Sequence, residues 1–214
     1  MKRRAFIAAG LGLPLVTAAG GRELLRARRA DFVEIGESVL MTVSLPELLS
    51  TRDRDAMASI ESAFSTTLVF EIKLYRSGSA RAVSAQRRIV KIQWNPWKER
   101  FGVQTSDPGQ GTRTAYFRGR NRAIAWAVGL DRIQIARSQD LDRGRDATYF
   151  VTVVGQRNPI TAALLPEDVV VGGQGQGSDL SAFSRWIGIF IRDTPAAEKT
   201  FAIRTTPAFY LVPR

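Results

Sequence analysis

The chain has 214 residues, carries 31 Lys plus Arg against 20 Asp plus Glu for a formal net charge of +11, and contains neither Cys nor His. The missing Cys excludes disulfides and anchoring through an acylated cysteine, and the two absences together exclude Ser-His-Asp and Cys-His nucleophiles, the usual zinc ligand sets and His-ligated haem. Of the basic residues 26 are Arg and 5 are Lys, a bias that GC-rich codon usage produces as readily as selection for anion binding, but whose field attracts anionic surfaces at low salt in either case.

At the N-terminus, Lys2, Arg3 and Arg4 precede an apolar run over residues 5–15, shorter than the roughly 20 residues a membrane span needs. Gly10, Gly12 and Pro14 weaken the run further as a spanning helix. Arg3-Arg4-x-Phe6-Ile7 resembles a twin-arginine export signal in four positions, while Lys2 and Ala8 depart from that pattern. Val16-Thr17-Ala18 supplies small residues for cleavage at Ala18. The expectation is a signal peptide over 1–20 and a periplasmic or extracellular mature protein, the alternative being an uncleaved N-terminal membrane anchor. Loss of Lys2, Arg3 and Arg4 with the signal leaves a charge of +8. The remaining chain of about 195 residues suits one domain with its own core: a basic linker over 21–30, then a single domain over 31–214.

Residues 32–35, the pair Gly36-Glu37 and residues 39–45 predict a strand, a tight turn and a second strand, with Val39, Met41, Val43 and Leu45 on one face and Pro46 ending the run. Ser50 or Thr51 is placed to cap a helix over 53–65, where Asp53 and Asp55 suit the positive end of the helix dipole. Ala56, Ile60, Ala63 and Phe64 fall at helical spacing and are expected to face a sheet.

From residue 66 to 76, Leu68, Phe70, Ile72 and Leu74 alternate with Glu71, Lys73 and Tyr75. Ser77-Gly78-Ser79 forms a turn, residues 81–94 return as a strand, and Asn95-Pro96 breaks the ladder before a third strand around Phe101-Gly102-Val103. A polar, glycine-rich loop over 107–112 follows. Residues 113–118 then predict another strand, and 121–128 a helix closed by a Gly129 C-cap. Residues 133–137 and 148–154 read as a hairpin around Asp142-Arg143-Gly144. Few patterned apolar residues occur over 155–178, where mobility is expected. A helix capped by Asp179 with the stripe Phe183, Ile187, Phe190 and Ile191, most simply core, and a last strand over 200–204 complete the chain. The fold class expected is α+β, a mainly antiparallel sheet with two or three short helices.

The segment Leu68-Val69-Phe70-Glu71-Ile72-Lys73-Leu74-Tyr75-Arg76, with the preceding helix, resembles an uncharacterised bacterial family catalogued as domain of unknown function 4390. The similarity extends to residues 89–94 and to Ile189-Phe190-Ile191-Arg192. The resemblance implies an exported or membrane-anchored protein of similar length and assigns chemistry to no residue.

Asp140, Asp142 and Asp146 flank Gly144 as carboxylates of a calcium loop would. Arg143 and Arg145 between them, the early glycine and the missing bidentate Glu favour a salt-bridged turn instead. Gly172-Gly173-Gln174-Gly175-Gln176-Gly177 has the glycines of a phosphate loop without the following Lys-Ser/Thr, so a flexible loop is the simpler reading. No cofactor is expected. Glu167-Asp168 and Glu34 with Glu37, or Ser with Lys73 or Lys199, stand in no catalytic motif, and no catalytic residue is nominated.

Basic residues interleaved with aromatics give the binding candidates: Arg87, Lys91, Trp97, Lys98, Arg118, Arg120 and Arg122. Strand alternation puts Arg87 and Lys91 on the face opposite Ile92 and Trp94, a basic outer face that either binds an anion or is merely solvated. The function expected is a non-enzymatic envelope module that binds a protein partner or an anionic envelope component, with peripheral membrane contact and without nucleic acid; a carboxylate-dependent hydrolase of envelope polymers is the alternative.

Overall fold

The computed structural model describes residues 4–5, 25–62, 64–107, 111–159 and 197–213. Arg3, Phe6, Ile7 and Ala18 of the expected signal, Glu167-Asp168, the glycine-rich loop and the stripe Phe183 to Ile191 lie outside those residues. The described chain forms β1 (Arg4–Ala5), β2 (Arg26–Arg29), β3 (Asp31–Ile35), β4 (Ser38–Ser44), α1 (Arg54–Glu61), β5 (Thr66–Arg76), β6 (Ala82–Asn95), β7 (Arg100–Asp107), β8 (Gly111–Phe117), α2 (Arg120–Val128), β9 (Gly129–Arg137), β10 (Tyr149–Arg157) and β11 (Lys199–Thr206). The architecture is α+β, mainly antiparallel, with two short helices, as the period-two runs predict.

Two sheets result. The large one has the order β2-β11-β10-β5-β6-β7-β8 and the small one β1-β3-β4-β9. All pairings are antiparallel except β2 with β11. Val39, Met41 and Val43 of the small sheet join Leu68, Phe70, Ile72 and Leu74 of the large one in a single core, because alternation puts all of them on inward faces. Side chains of β6 also reach the backbone of β9: Ser84 Oγ donates to the Ile135 carbonyl, and Gln86 Nε2 donates to the Gln134 carbonyl at 2.6 Å. These bonds satisfy polar groups of a strand at the small sheet's edge.

Four local expectations are corrected. Residues 26–29, expected within a linker, are an edge strand; Arg26 and Arg28 lie over the Phe201 ring at 5.3 and 5.8 Å, and Arg28 donates to the Ser44 carbonyl at 2.8 Å. The cap of α1 is Asp53, whose Oδ1 accepts from the Ala56 amide at 3.0 Å. The helix stops at Glu61, so Ala56 and Ile60 are buried while Phe64 is left exposed. Finally, residues 133–137 and 148–154 do not pair: β9 ladders with β4, and β10 lies between β5 and β11. Around Asp142 and Gly144 the chain crosses between the sheets, fastened by the Gly144 amide on the Leu211 carbonyl at 2.8 Å and by the Asp142 amide on the Tyr149 hydroxyl at 2.8 Å.

Arg157, at the inner end of β10, has only 4% of its side chain exposed. Its Nη1 donates to Asp53 Oδ2 at 2.9 Å and to the Leu48 carbonyl at 3.1 Å, and its Nε donates to Glu198 Oε2 at 3.0 Å. Next to it, Gly155 faces the Pro46–Leu49 3-10 turn so closely that a Cβ would sit 2.5 Å from Leu48 Cδ1. Gly155→Ala is therefore expected to overpack this contact and cost about 1–3 kcal/mol, read as a lower denaturant midpoint with an unchanged slope.

The Ala56 amide hydrogen bond, assisted by Arg157 and Lys199 against partial burial, holds the Asp53 carboxyl at about 2 instead of 3.8. A carboxyl held below its unfolded value adds stability that is complete above pH 3.8 and drains away as the pH falls toward 2. Asp53→Ala removes one of the two carboxylates paired with Arg157, together with the cap, for an expected loss of about 3 kcal/mol at neutral pH. Asp53→Asn, which keeps an acceptor at the cap, is expected to lose less and to flatten the acid limb of a stability-against-pH curve.

Candidate functional site

Six of the seven predicted binding residues meet at one end of the large sheet. The β6–β7 turn there is ordered by the Asn95 side chain, whose Oδ1 accepts from the Lys98 amide at 3.0 Å, and by Glu99 at φ 43. Pro96 ends the ladder because it has no amide to donate, and Trp97, at the tip, is 92% exposed. At the same end β8 finishes at Phe117, which pairs with Phe101, and Arg118 and Gly119 lead into α2.

Two open grooves flank this end. One, of about 730 Å³, includes Lys91, Trp97, Lys98 and Arg100; the other, of about 850 Å³, includes Glu61, Arg118, Arg120 and Arg122. Trp94 and Tyr116 line both, from opposite faces of the sheet: Trp94 is in register with Phe101 and Phe117, and Tyr116 with Gly102. Both faces are packed: the Trp94 and Phe101 ring centroids lie 4.6 Å apart and Phe117 and Trp126 are 5.9 Å apart on one, and the Arg100 guanidinium sits 4.1 Å over the Tyr116 ring on the other. The lining thus contains six cations and one carboxylate, Glu61, which is already paired with Arg120.

The start of α2 adds to the positive field. Gly119 provides no side-chain cap, and the first turn has no acidic residue, so amides at the positive end of the dipole keep no carboxylate partner of their own. Arg120 and Arg122 occupy that turn, against the preference of a helix N-terminus for anions, at a local cost of about 0.3–1 kcal/mol each. The Glu61 pair from the end of α1 offsets part of it.

The seventh residue, Arg87, is elsewhere. It lies mid-sheet opposite Glu71, half-buried, and its Nε is enclosed without a hydrogen-bond partner. Burial pushes the Arg87 guanidinium and the neighbouring Lys73 ammonium down, with Glu71 opposing in both cases. Arg87 and Lys91 keep the face opposite Ile92 and Trp94 that alternation predicts, but only Lys91 lines a groove. Sequence reasoning missed Arg100 and Tyr116 as members of the site. Arg100 and Tyr116 stood in the interleaved runs, but only the β7–β8 register stacks them.

Two of the acidic candidates are engaged elsewhere. Asp142 pairs with Arg76 at 2.7 Å, Glu34 pairs with Arg143, and among the described residues no three metal-ligating side chains converge. Excess calcium is therefore expected to leave the thermal midpoint unmoved; a rise at millimolar calcium would restore Asp140, Asp142 and Asp146 as a binding loop. Among the described residues no helix is long and apolar enough to cross a membrane. No family model, curated protein or solved structure matches the chain.

Proposed function

We propose that this is an exported, non-enzymatic binding module that takes an anionic component of the bacterial envelope at the basic and aromatic end of its large sheet. One observation carries the reading: cations from two separate stretches, 91–100 and 118–122, line two grooves that share Trp94 and Tyr116 in their lining, with one paired carboxylate among them. Scattered solvating charge has no reason to converge in this way, nor to occupy the uncapped start of a helix where it is locally unfavourable. The envelope setting is supported by the export-type N-terminus and by the resemblance to domain of unknown function 4390.

A cation close to an anionic surface contributes about 1 kcal/mol at physiological ionic strength. Removing Lys98, Arg118 and Arg122 together, each as Gln, should then weaken binding to a soluble polyanion such as dextran sulfate about a hundredfold, with wild-type binding falling steeply as salt rises. The charge-matched control replaces Arg81, Arg137 and Arg145, which lie away from this end. Equal losses in the two triple variants would reduce the effect to net charge and overturn the assignment of a site.

A further inference from the structure

We infer that the anionic component is a phospholipid surface, on which the protein docks by pressing the aromatic tips of this end into the headgroup layer. The inference rests on the proposed function and identifies its ligand. Among the described residues, the exposed large aromatics are Phe64 at 82%, Trp97 at 92%, Tyr116 at 59% and Trp126 at 36%; Trp97 and Tyr116 line the grooves of this end and Phe64 precedes Ser65, which lines one of them. Phe64 precedes β5, whose first residue pairs with Ile92, two positions from Trp94; its neighbour Ser65 lines the groove of Trp97. Tyr116 lines both grooves from the face of Gly102, and Trp126 packs against Phe117 on the opposite face of β8. Elsewhere on the described surface the large exposed apolar side chains are only Leu25 and Val212.

A soluble polyanion lying in the grooves would satisfy the cations and leave these rings in water. A bilayer interface satisfies both at once. Trp and Tyr rings are favoured at headgroup depth, where an apolar body and a polar edge both find partners, and Lys and Arg around them meet lipid phosphates while their stems cover apolar surface. The Asn95-Pro96-Trp97-Lys98 turn fits that task physically: Trp97 is presented on a hydrogen-bonded tip, so little conformational freedom is lost on insertion. Clustered exposed aromatics rimmed by charge mark an interaction surface.

The test uses the full chain with phosphatidylcholine vesicles, with and without phosphatidylglycerol, and runs dextran sulfate in parallel. Co-sedimentation only with phosphatidylglycerol vesicles is expected, together with quenching of tryptophan emission by brominated acyl chains. Trp97→Ser should lose about tenfold in vesicle affinity, and the Phe64→Ser/Trp97→Ser double variant more; Phe64→Ser alone, whose ring lines neither groove, should weaken vesicle binding and leave dextran sulfate binding at the wild-type level. Both side chains are exposed, and thermal melts of the variants check that the fold is kept. Dextran sulfate binding without vesicle binding, vesicle binding without quenching, or unchanged vesicle affinity in the double variant would each overturn the lipid inference and leave the proposed function standing. Binding to neither ligand would overturn both.

Discussion

The guanidinium of Arg157, closed off from water between Asp53, Glu198 and the Leu48 carbonyl, is the interaction on which the helices and the large sheet depend together. A charge in that position is tolerable only if its donors are met, since an unpaired buried cation costs several kcal/mol. The elements supplying its acceptors are therefore constrained to one arrangement: the 3-10 turn after β4, the first turn of α1 and the residues entering β11. Asn158 extends the junction. Its Oδ1 accepts from the Thr67 amide at 2.8 Å, and its Nδ2 donates to Glu198 at 2.9 Å and Ser59 at 3.3 Å, so the start of β5 is tied to the same point. Gly155 admits the Leu48 side chain beside it, where any larger residue would push the turn off the sheet.

From this junction the order passes to the candidate site through α1. Asp53 sets where the helix begins, and its eight residues, at 1.5 Å each, carry Glu61 to Arg120 at the start of α2. A buried ion pair at one end of α1 and an exposed one at the other thus locate α2, and with it Arg118 and Arg122, against the end of β7 and β8. The two pairs differ in weight. Arg120 and Glu61 are both well exposed, where solvent and salt reduce such a pair to at most about 1 kcal/mol, so that end of α2 is the less firmly held.

Much of the fold was legible because burial writes its own period into the chain. Leu68, Phe70, Ile72 and Leu74 alternate and are buried, and so do Val39, Met41 and Val43; the turns at Gly78 and Pro96 follow from backbone chemistry. Partner choice was less legible. The runs forming β9 and β10 are neighbours in sequence around a glycine turn, yet each finds its ladder elsewhere, because an alternating run specifies which side chains turn inward and leaves open which strand supplies the hydrogen bonds. Residues 26–29 carry no apolar alternation at all, and they form a strand through the backbone of β11 and the ring of Phe201. At the candidate site the residue types were visible as basic runs threaded with aromatics, whereas Arg87, in the same run as Lys91, proved to lie mid-sheet against Glu71.

By itself the sequence determined composition-level facts: no thiol or imidazole chemistry, a strong positive charge, a β-rich fold with short helices, and the identity of most inward-facing residues. These are local properties, readable because sterics and burial act residue by residue. Only the tertiary structure decided that Arg157 is buried and paired, that Phe64 lies outside its helix, and that Lys91, Trp97, Arg100, Tyr116 and Arg118 share one end of a sheet. Convergence of that kind depends on strand register and on contacts between distant segments, and no local pattern encodes a distance between residues that meet only after the ladders close.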